Sequence, residues 1–398
     1  MNSWISVAYI FMNFWEKLPK PALTRDGSQM RGRPFFCLAP MADVTDAAFR
    51  RVITKYGKPD VFWTEFVSAD GLMSEGREVL KKNLIYSKKE KPIVVQLFSS
   101  NPIKMRQAVK YVASLGFDGI DINMGCPDKS IEKQGCGSAM IKNPERAGEI
   151  IQAVKDGIKD SGKKVSISVK TRVGYNKSQL EEWIPFLLSQ NIDALTIHAR
   201  TRKEMSKVPA NWDYVKRVVE IRNEMKVKTK IIGNGDVVDI EDGMKKAKET
   251  GCDGIMIGRA IFGNPWLFAN LACEKRNCQI EHPVLNLPLD TGINNKNKKN
   301  KNCLTTQSRN SAERSECVAS NESRKFKTGV STKEKLKVLV EHTKLFEKLL
   351  GKSRNFAVMK KHFKAYVNGF DGAKELRVRL METKNFVEVK DIVDNFLG

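Results

Sequence analysis

A chain of 398 residues with 41% hydrophobic side chains can bury one large core and a smaller second one. Its eight cysteines lack paired C-x-x-C spacing, which points to reduced thiols in a cytosolic protein rather than a disulfide framework, and its four histidines form no H-x-x-x-H pattern, so no metal is expected. The formal charge of +23 implies a polyanionic partner, because neutralising phosphates is the usual use of such an excess, unless it serves only to keep the surface solvated.

The first residues, Met1 to Trp15, are apolar but lack a basic n-region and a small-residue cleavage site, and they are too short to span a bilayer. A docking arm with no membrane role is expected. Residues Ala22 to Arg33 are polar and glycine-containing between Pro21 and Pro34, and read as a flexible insertion. Residues 1–34 therefore form an N-terminal arm, and regular structure is expected to begin near Phe35.

From there strand-like apolar runs alternate with amphipathic helical stretches. The strands are Phe35 to Met41, Val61 to Val67, Pro92 to Phe98, Gly119 to Asn123, Val165 to Thr171, Ala194 to Ala199, Lys230 to Asn234 and Gly254 to Ile257. Between the last six lie helices at Pro102 to Leu115, Pro144 to Lys159, Leu180 to Ser189, Trp212 to Asn223 and Ile240 to Glu249. Eight such units in about 235 residues predict a (β/α)₈ TIM barrel over residues 35–275, with an open doubly wound sheet as the alternative.

A barrel should carry its reactive groups at the C-terminal ends of its strands. The third strand ends in Gln96, the fourth in Asn123 with Cys126 just before Pro127, the fifth in Lys170 and Arg172, the sixth in His198 and Arg200. Alone, Cys126 would read as a small buried hydrophobe and Lys170 as a snorkelling cation. Four successive strands ending this way argue for a site. The loop Gly135 to Met140 is glycine-rich enough to let backbone approach a ligand. The last two strands give way to Gly233-Asn234-Gly235-Asp236 and Gly258-Arg259, where free N–H groups and a guanidinium suit a phosphate, or else are ordinary turns.

After Phe268 the composition shifts. Residues from about Leu289 to Lys327 are rich in Asn, Lys, Ser and Glu, and residues 276–330 read as a low-complexity linker or insertion. Residues 331–398 then predict a small helical bundle with its own core: helices at Lys333 to Leu350, Asn355 to Val367, Ala373 to Met381 and Val387 to Phe396. Lys360, Lys361, Lys364, Arg377 and Arg379 on its surface suit a phosphate-backbone grip or a merely solvated face.

Taken together, Leu38-Ala39-Pro40-Met41-Ala42-Asp43-Val44-Thr45-Asp46, Asn123-Met124-Gly125-Cys126-Pro127 with Gly137-Ser138-Ala139, Val169-Lys170-Thr171-Arg172, Ile197-His198-Ala199-Arg200-Thr201-Arg202, and Gly233 to Asp236 with Gly258-Arg259 resemble the tRNA-dihydrouridine synthases. The resemblance is strong over Phe35 to Phe268 and general over Lys333 to Gly398. It implies an FMN-bearing barrel followed by a helical tRNA-binding domain, acting as a cytoplasmic monomer. Gln96, Lys170 and His198 would meet the flavin ring with Pro40 and Met41 beneath it. Asn234, Gly235, Asp236, Gly258 and Arg259 would surround the FMN phosphate, and Asn123 and Arg172 would face the uracil. NADPH, or NADH, would reduce FMN; hydride would pass to C6 of a flipped-out tRNA uridine while Cys126 protonates C5. Cys136, set among glycines, is expected to be held too loosely for that task.

Two other readings stay open on the residues alone. Lys170 at a strand end beside a phosphate site also suits a Schiff-base aldolase. The basic surface also suits a non-catalytic RNA-binding factor with a vestigial pocket.

Overall fold

The computed structural model describes residues 13–20, 22–23, 30–272 and 329–398. The expected linker, 276–330, lies outside the described residues but for 329 and 330, as does most of the arm before Asn13. Eight parallel strands form the centre: β1 (Phe35–Leu38), β2 (Phe62–Ser68), β3 (Ile93–Phe98), β4 (Gly119–Met124), β5 (Ser166–Arg172), β6 (Ala194–His198), β7 (Lys230–Asn234) and β8 (Gly254–Ile257). From β2 to β8 each pairs with its neighbour in chain order, and β8 pairs with β1. The ring closes where Leu38 N–H donates to Val61 O at 3.1 Å and Cys37 bridges Val61, so the sheet is a (β/α)₈ barrel and not the open alternative.

The strands have two faces because side chains alternate along them. Phe36, Leu38, Phe62, Val95, Ile122, Val169, Ile197, Ile231 and Ile255 point outward into one apolar layer beneath the helices. Phe35, Cys37, Trp63, Val94, Ala194, Ile232 and Met256, of the opposite parity, fill the inside. Outer helices α1 (Ala47–Tyr56), α2 (Pro102–Ser114), α3 (Pro144–Ser161), α4 (Leu180–Ser189), α5 (Asp213–Glu224) and α6 (Ile240–Thr250) cover the ring. Their ends obey local chemistry: Asn101 and Asn143 cap α2 and α3 ahead of a first-turn proline, and Gly162 and Gly251, at φ 62° and 72°, close α3 and α6.

Regular structure begins before Phe35, contrary to expectation. Phe14–Lys17 form a 3₁₀ turn, and Trp15, 2% exposed, packs on Phe35 and Trp63 at ring-centroid distances of 5.6 and 6.0 Å. The indole closes the N-terminal end of the barrel, a burial that local composition does not reveal. Within the segment read as a flexible insertion, Ala22–Leu23 and Met30–Arg31 pair antiparallel.

Beyond the barrel, α7 (Thr332–Leu350) starts at a capping box made by Ser331 and Glu334 and packs against α1. Helices α8 (Met359–Tyr366), α9 (Ala373–Glu382) and α10 (Phe386–Leu397) complete the bundle. Its core was expected to be its own. Instead Leu336, Phe346, Met359, Phe363 and Tyr366 belong to the same continuous apolar cluster as Phe49, Val52 and Ile53 of α1. The reason is that α1 buries residues on two sides, one toward β1 and one toward α7. Glu341 adds a polar clasp, accepting from the Tyr56 hydroxyl at 2.6 Å and pairing with Lys55 at 2.8 Å.

Among the described residues no helix is long and apolar enough to cross a membrane, and no group of three or more His, Cys, Asp or Glu could hold a metal ion.

Inside the α1–α7–α8 contact sit two fully buried histidines. His342 stacks on Phe49 at 4.9 Å, His362 lies 4.4 Å from His342, and neither ring nitrogen of either finds a partner. Burial drives the pKa of His342 far below its ordinary value and that of His362 down to about 3. Unfolding lets both rings protonate near pH 6.5, so between that value and about 3 the unfolded chain binds more protons. Thermal unfolding followed over this window should show stability falling as the pH is lowered, by about 1.4 kcal/mol per pH unit per ring. His362→Phe should flatten that slope relative to the parent; an unchanged slope would show that the ring is already protonated in the folded state.

Candidate functional site

The inward parity that fills the barrel with apolar groups near its base carries polar ones nearer the C-terminal ends. Gln96, Asp121, Asn123, Ser168, Lys170, His198 and Asn234 all occupy inward positions. Asp121 is fully buried and accepts from Gln96 Nε2 at 2.6 Å and from the Ser168 hydroxyl. Gln96 Oε1 accepts from Asn123 Nδ2 at 3.1 Å, and Asn123 Oδ1 accepts from the backbone N–H groups of Gly125 and Cys126 at 3.2 and 2.9 Å. A single hydrogen-bonded line thus runs from the barrel interior to Cys126. Burial raises the Asp121 carboxyl to about pH 6 despite these donors. Asp121 went unnoticed in the sequence, although it lies two residues before Asn123 and shares its face.

Cys126 does not end a strand; β4 stops at Met124 and the thiol stands on the following loop. The loop is pinned on its other side, where Ser138 N–H donates to Cys126 O at 3.0 Å. A Cβ on Gly137, at φ 61°, would lie 2.6 Å from that same oxygen, so glycine is required there. Burial raises the Cys126 pKa, with the nearby Lys170 and Arg172 opposing, and the group is a thiol at neutral pH.

Cys136 differs from expectation. It is 2% exposed, packed with Phe98 and Ile131, and burial raises its pKa to about 11. Packing, not looseness, withdraws it from chemistry.

Beside this line opens a cleft lined by Pro40, Met41, Lys170, His198, Asn234, Gly235, Asp236, Gly258 and Arg259, together with Ala39, Arg200, Ser206, Val237 and Met256. Gln96, Asn123, Cys126 and Arg172 do not line it; they form the adjoining wall. Arg172 is largely committed to backbone, donating from Nε to Gly125 O at 2.8 Å and from Nη1 to Thr201 O and Met205 O at 3.0 and 3.2 Å. Burial lowers its pKa to about 10, and among the described residues Nη2 makes no hydrogen bond.

Lys170 makes no hydrogen bond among the described residues and lines the cleft. Burial first and Arg172 second lower its pKa to about 8, while Asp121 opposes. His198 Nε2 lies 3.2 Å from Arg200 Nη1. A guanidinium can only donate, so Nε2 accepts and the ring proton sits on Nδ1. Burial and four surrounding cations push the His198 pKa far down, so the ring is neutral.

At the far end Asp236, at φ 51°, pairs with Arg200 and, at 2.5 Å, with Arg259, and accepts from Ala210 N–H at 2.9 Å. Asp236 thus orients two guanidiniums, and as a carboxylate it would itself repel an anion. Arg200 stands at its strand end in sequence, but its pairing with Asp236, 36 residues on, exists only in the fold. Gly235, at φ 137°, would bring a Cβ within 2.7 Å of Ala210 Cβ, and its carbonyl accepts from Trp212 Nε1 at 3.0 Å. The arrangement can hold an anion at one end and present a neutral donor and a low-pKa lysine toward a planar ligand at the other.

A family profile described as Dihydrouridine synthase (Dus) matches residues 37–288. Similar full-length relatives include "Probable tRNA-dihydrouridine synthase" of Staphylococcus epidermidis, 36% identical over 387 residues, with 96% of each chain covered. "Probable tRNA-dihydrouridine synthase 2" of Bacillus subtilis is 35% identical over 387 residues, again with 96% of each chain covered.

Exposure and packing separate the two thiols in a way alkylation can read. Iodoacetamide, followed by peptide mass spectrometry under native conditions, should label Cys126 at least about tenfold faster than Cys136, with the Cys126 rate still rising above pH 8. Equal rates would mean that Cys136 is not packed away.

Proposed function

The chain belongs to the dihydrouridine synthase family, and from that premise we propose that it reduces specific uridines of tRNA to 5,6-dihydrouridine with FMN as its resident cofactor and NADPH as reductant. The aldolase and the non-catalytic readings are not carried forward, because neither suits a chain matched along its length by members of this family.

The observation that carries the FMN reading is the cleft's polarity. Its Asp236 end gathers Arg200, Arg259 and two glycines around a single carboxylate, a net positive seat suited to one phosphomonoester. Its other end offers Lys170 and neutral His198 above Pro40, Met41 and Met256, which suits a flat heteroaromatic ring with polar edges. No G-x-G-x-x-G follows any of the strands, so a dinucleotide is disfavoured.

When bound between Lys170 and His198 at one end and Arg200 and Arg259 at the other, FMN would supply hydride drawn from NADPH for C6 of the uridine. This chain's residues do the rest. Lys170 stabilises negative charge at the ring edge, a role its amine fills best below about pH 8. Gln96 and Asn123 are spent on one another and on the Cys126 loop, so we assign them to positioning, with one Asn123 N–H left for the uracil. Arg172 offers Nη2 to a uracil carbonyl. Cys126 Sγ gives its proton to C5 from the side opposite the hydride and recovers it from solvent, completing the C5=C6 reduction. The raised thiol pKa keeps that proton in place at neutral pH. The uridine must leave its stack to reach this depth, and the basic faces of the barrel rim and α8 to α9 neutralise the phosphates flanking it.

Purified protein should be yellow and release FMN on denaturation, identified by chromatography against FMN and FAD. Cys126→Ala should keep FMN and its NADPH-driven bleaching but lose at least about 100-fold in dihydrouridine formed on unmodified tRNA, whereas Cys136→Ala stays active. A colourless protein that cannot be reconstituted with FMN would sink the cofactor reading. Parent-rate product from Cys126→Ala would sink the proton donor.

A further inference from the structure

Pro40 and Met41, on the floor of the cleft, stand on the loop between β1 and α1, and this loop is held in part by a residue from the C-terminal bundle. Met41 N–H donates to Thr45 Oγ1 at 2.9 Å, and Met41 O accepts from the N–H groups of Val44 and Thr45. At the crest sits Asp43 at φ 54°, a left-handed backbone that a non-glycine residue keeps only when its surroundings hold it there. Asp43 N–H donates to Glu65 Oε1 at 2.6 Å. The other oxygen of Glu65 accepts from Arg354 Nη2 at 2.6 Å, and Arg354 Nη1 reaches the Asp43 carboxylate at 3.3 Å. Asn83 Oδ1 takes a further bond from Nη2 at 3.0 Å.

Arg354 is therefore buried on a carboxylate in the middle of β2, with side chains 6% and 3% exposed for the arginine and Glu65. That burial removes it from any direct grip on a polyanion. Its sequence position, 311 residues beyond Asp43, puts it just after α7, in the segment that joins α7 to α8. Docking of the bundle and the shape of the cofactor loop are thus joined through one guanidinium.

We infer that Arg354 is a positioning residue for the cofactor site: through Glu65 and Asp43 it sets the loop that carries Pro40 and Met41, so the bundle completes the cleft as well as covering α1. An arginine suits the task because its planar fork can bond Glu65, Asp43 and Asn83 together, which a single ammonium cannot. Lys361, on the same Asp43 carboxylate at 3.4 Å but half exposed, contributes little.

The inference rests on the FMN reading only for one of its two measurements. The first is hydrogen exchange by mass spectrometry on cofactor-stripped protein, read over residues 41–46; the second is the dissociation constant of FMN by fluorescence titration. Arg354→Met should speed exchange in the loop about tenfold and weaken FMN by a similar factor, with Arg354→Lys intermediate. Glu65→Gln combined with Arg354→Met removes the stranded buried charge, and should loosen the loop no more than Arg354→Met alone, because both act through one contact. The double variant also carries the test should the single one fail to fold. A lower melting temperature with loop exchange and FMN affinity at parent values would reduce Arg354 to a structural brace and overturn the inference. A parent protein that binds no FMN would instead overturn the cofactor reading, with loop exchange still deciding the role of Arg354.

Discussion

Closure of the eight-stranded ring imposes the constraint from which the rest follows. Once β1 meets β2 and β8, every second residue of every strand must point at a common axis, and neighbouring strands bring those residues into register: Gln96 beside Asp121, Asn123 beside Lys170, Arg172 beside His198, His198 beside Asn234. Near the base the shared space is filled by Trp15, Phe35, Trp63 and Met256. Higher up it cannot be filled by apolar groups without closing the cleft. Polar residues there must satisfy one another, and the line from Asp121 through Gln96 and Asn123 to Cys126 is how they do so.

The same convergence crowds charge. Lys170, Arg172, Arg200 and Arg259 stand around one imidazole, and their mutual repulsion and burial lower the pKa of Lys170 and Arg172 and keep His198 neutral. Asp121 beneath and Asp236 beside them supply the counter-charge from inside the protein. The balance leaves the cleft positive at the Asp236 end and, at the other, lined by a neutral His198 and a Lys170 whose pKa is lowered to about 8, a division of labour set by their surroundings.

The bundle completes the molecule in two ways. Its apolar contact with α1 extends the barrel's own core, and two buried histidines lie in it with unpartnered nitrogens, which makes that contact sensitive to acid. Among its polar contacts, the Arg354 and Glu65 pair is buried. Breaking such a buried pair by removing one partner typically costs about 3–5 kcal/mol, far more than an exposed pair of the Lys361 and Asp43 kind.

Periodicity alone determined seven of the eight strands and most helices to within a residue or two, the first strand ending at Leu38 rather than Met41, because a barrel strand's burial on both faces and an outer helix's single apolar stripe are local properties of the chain. Motif spacing likewise determined which strand ends would carry Lys170, Arg172, His198 and Asn234. Tertiary structure alone decided which of these reach the cleft and which, like Gln96 and Arg172, spend their donors on neighbours, since hydrogen bonds between strands depend on register. It also decided that Cys136 is sealed by Phe98 and Ile131, that Trp15 plugs the barrel, and that the bundle shares its core with α1. Each of these joins residues far apart in sequence, such as Asp43 and Arg354, and no pattern within one segment records a partner that only folding brings near.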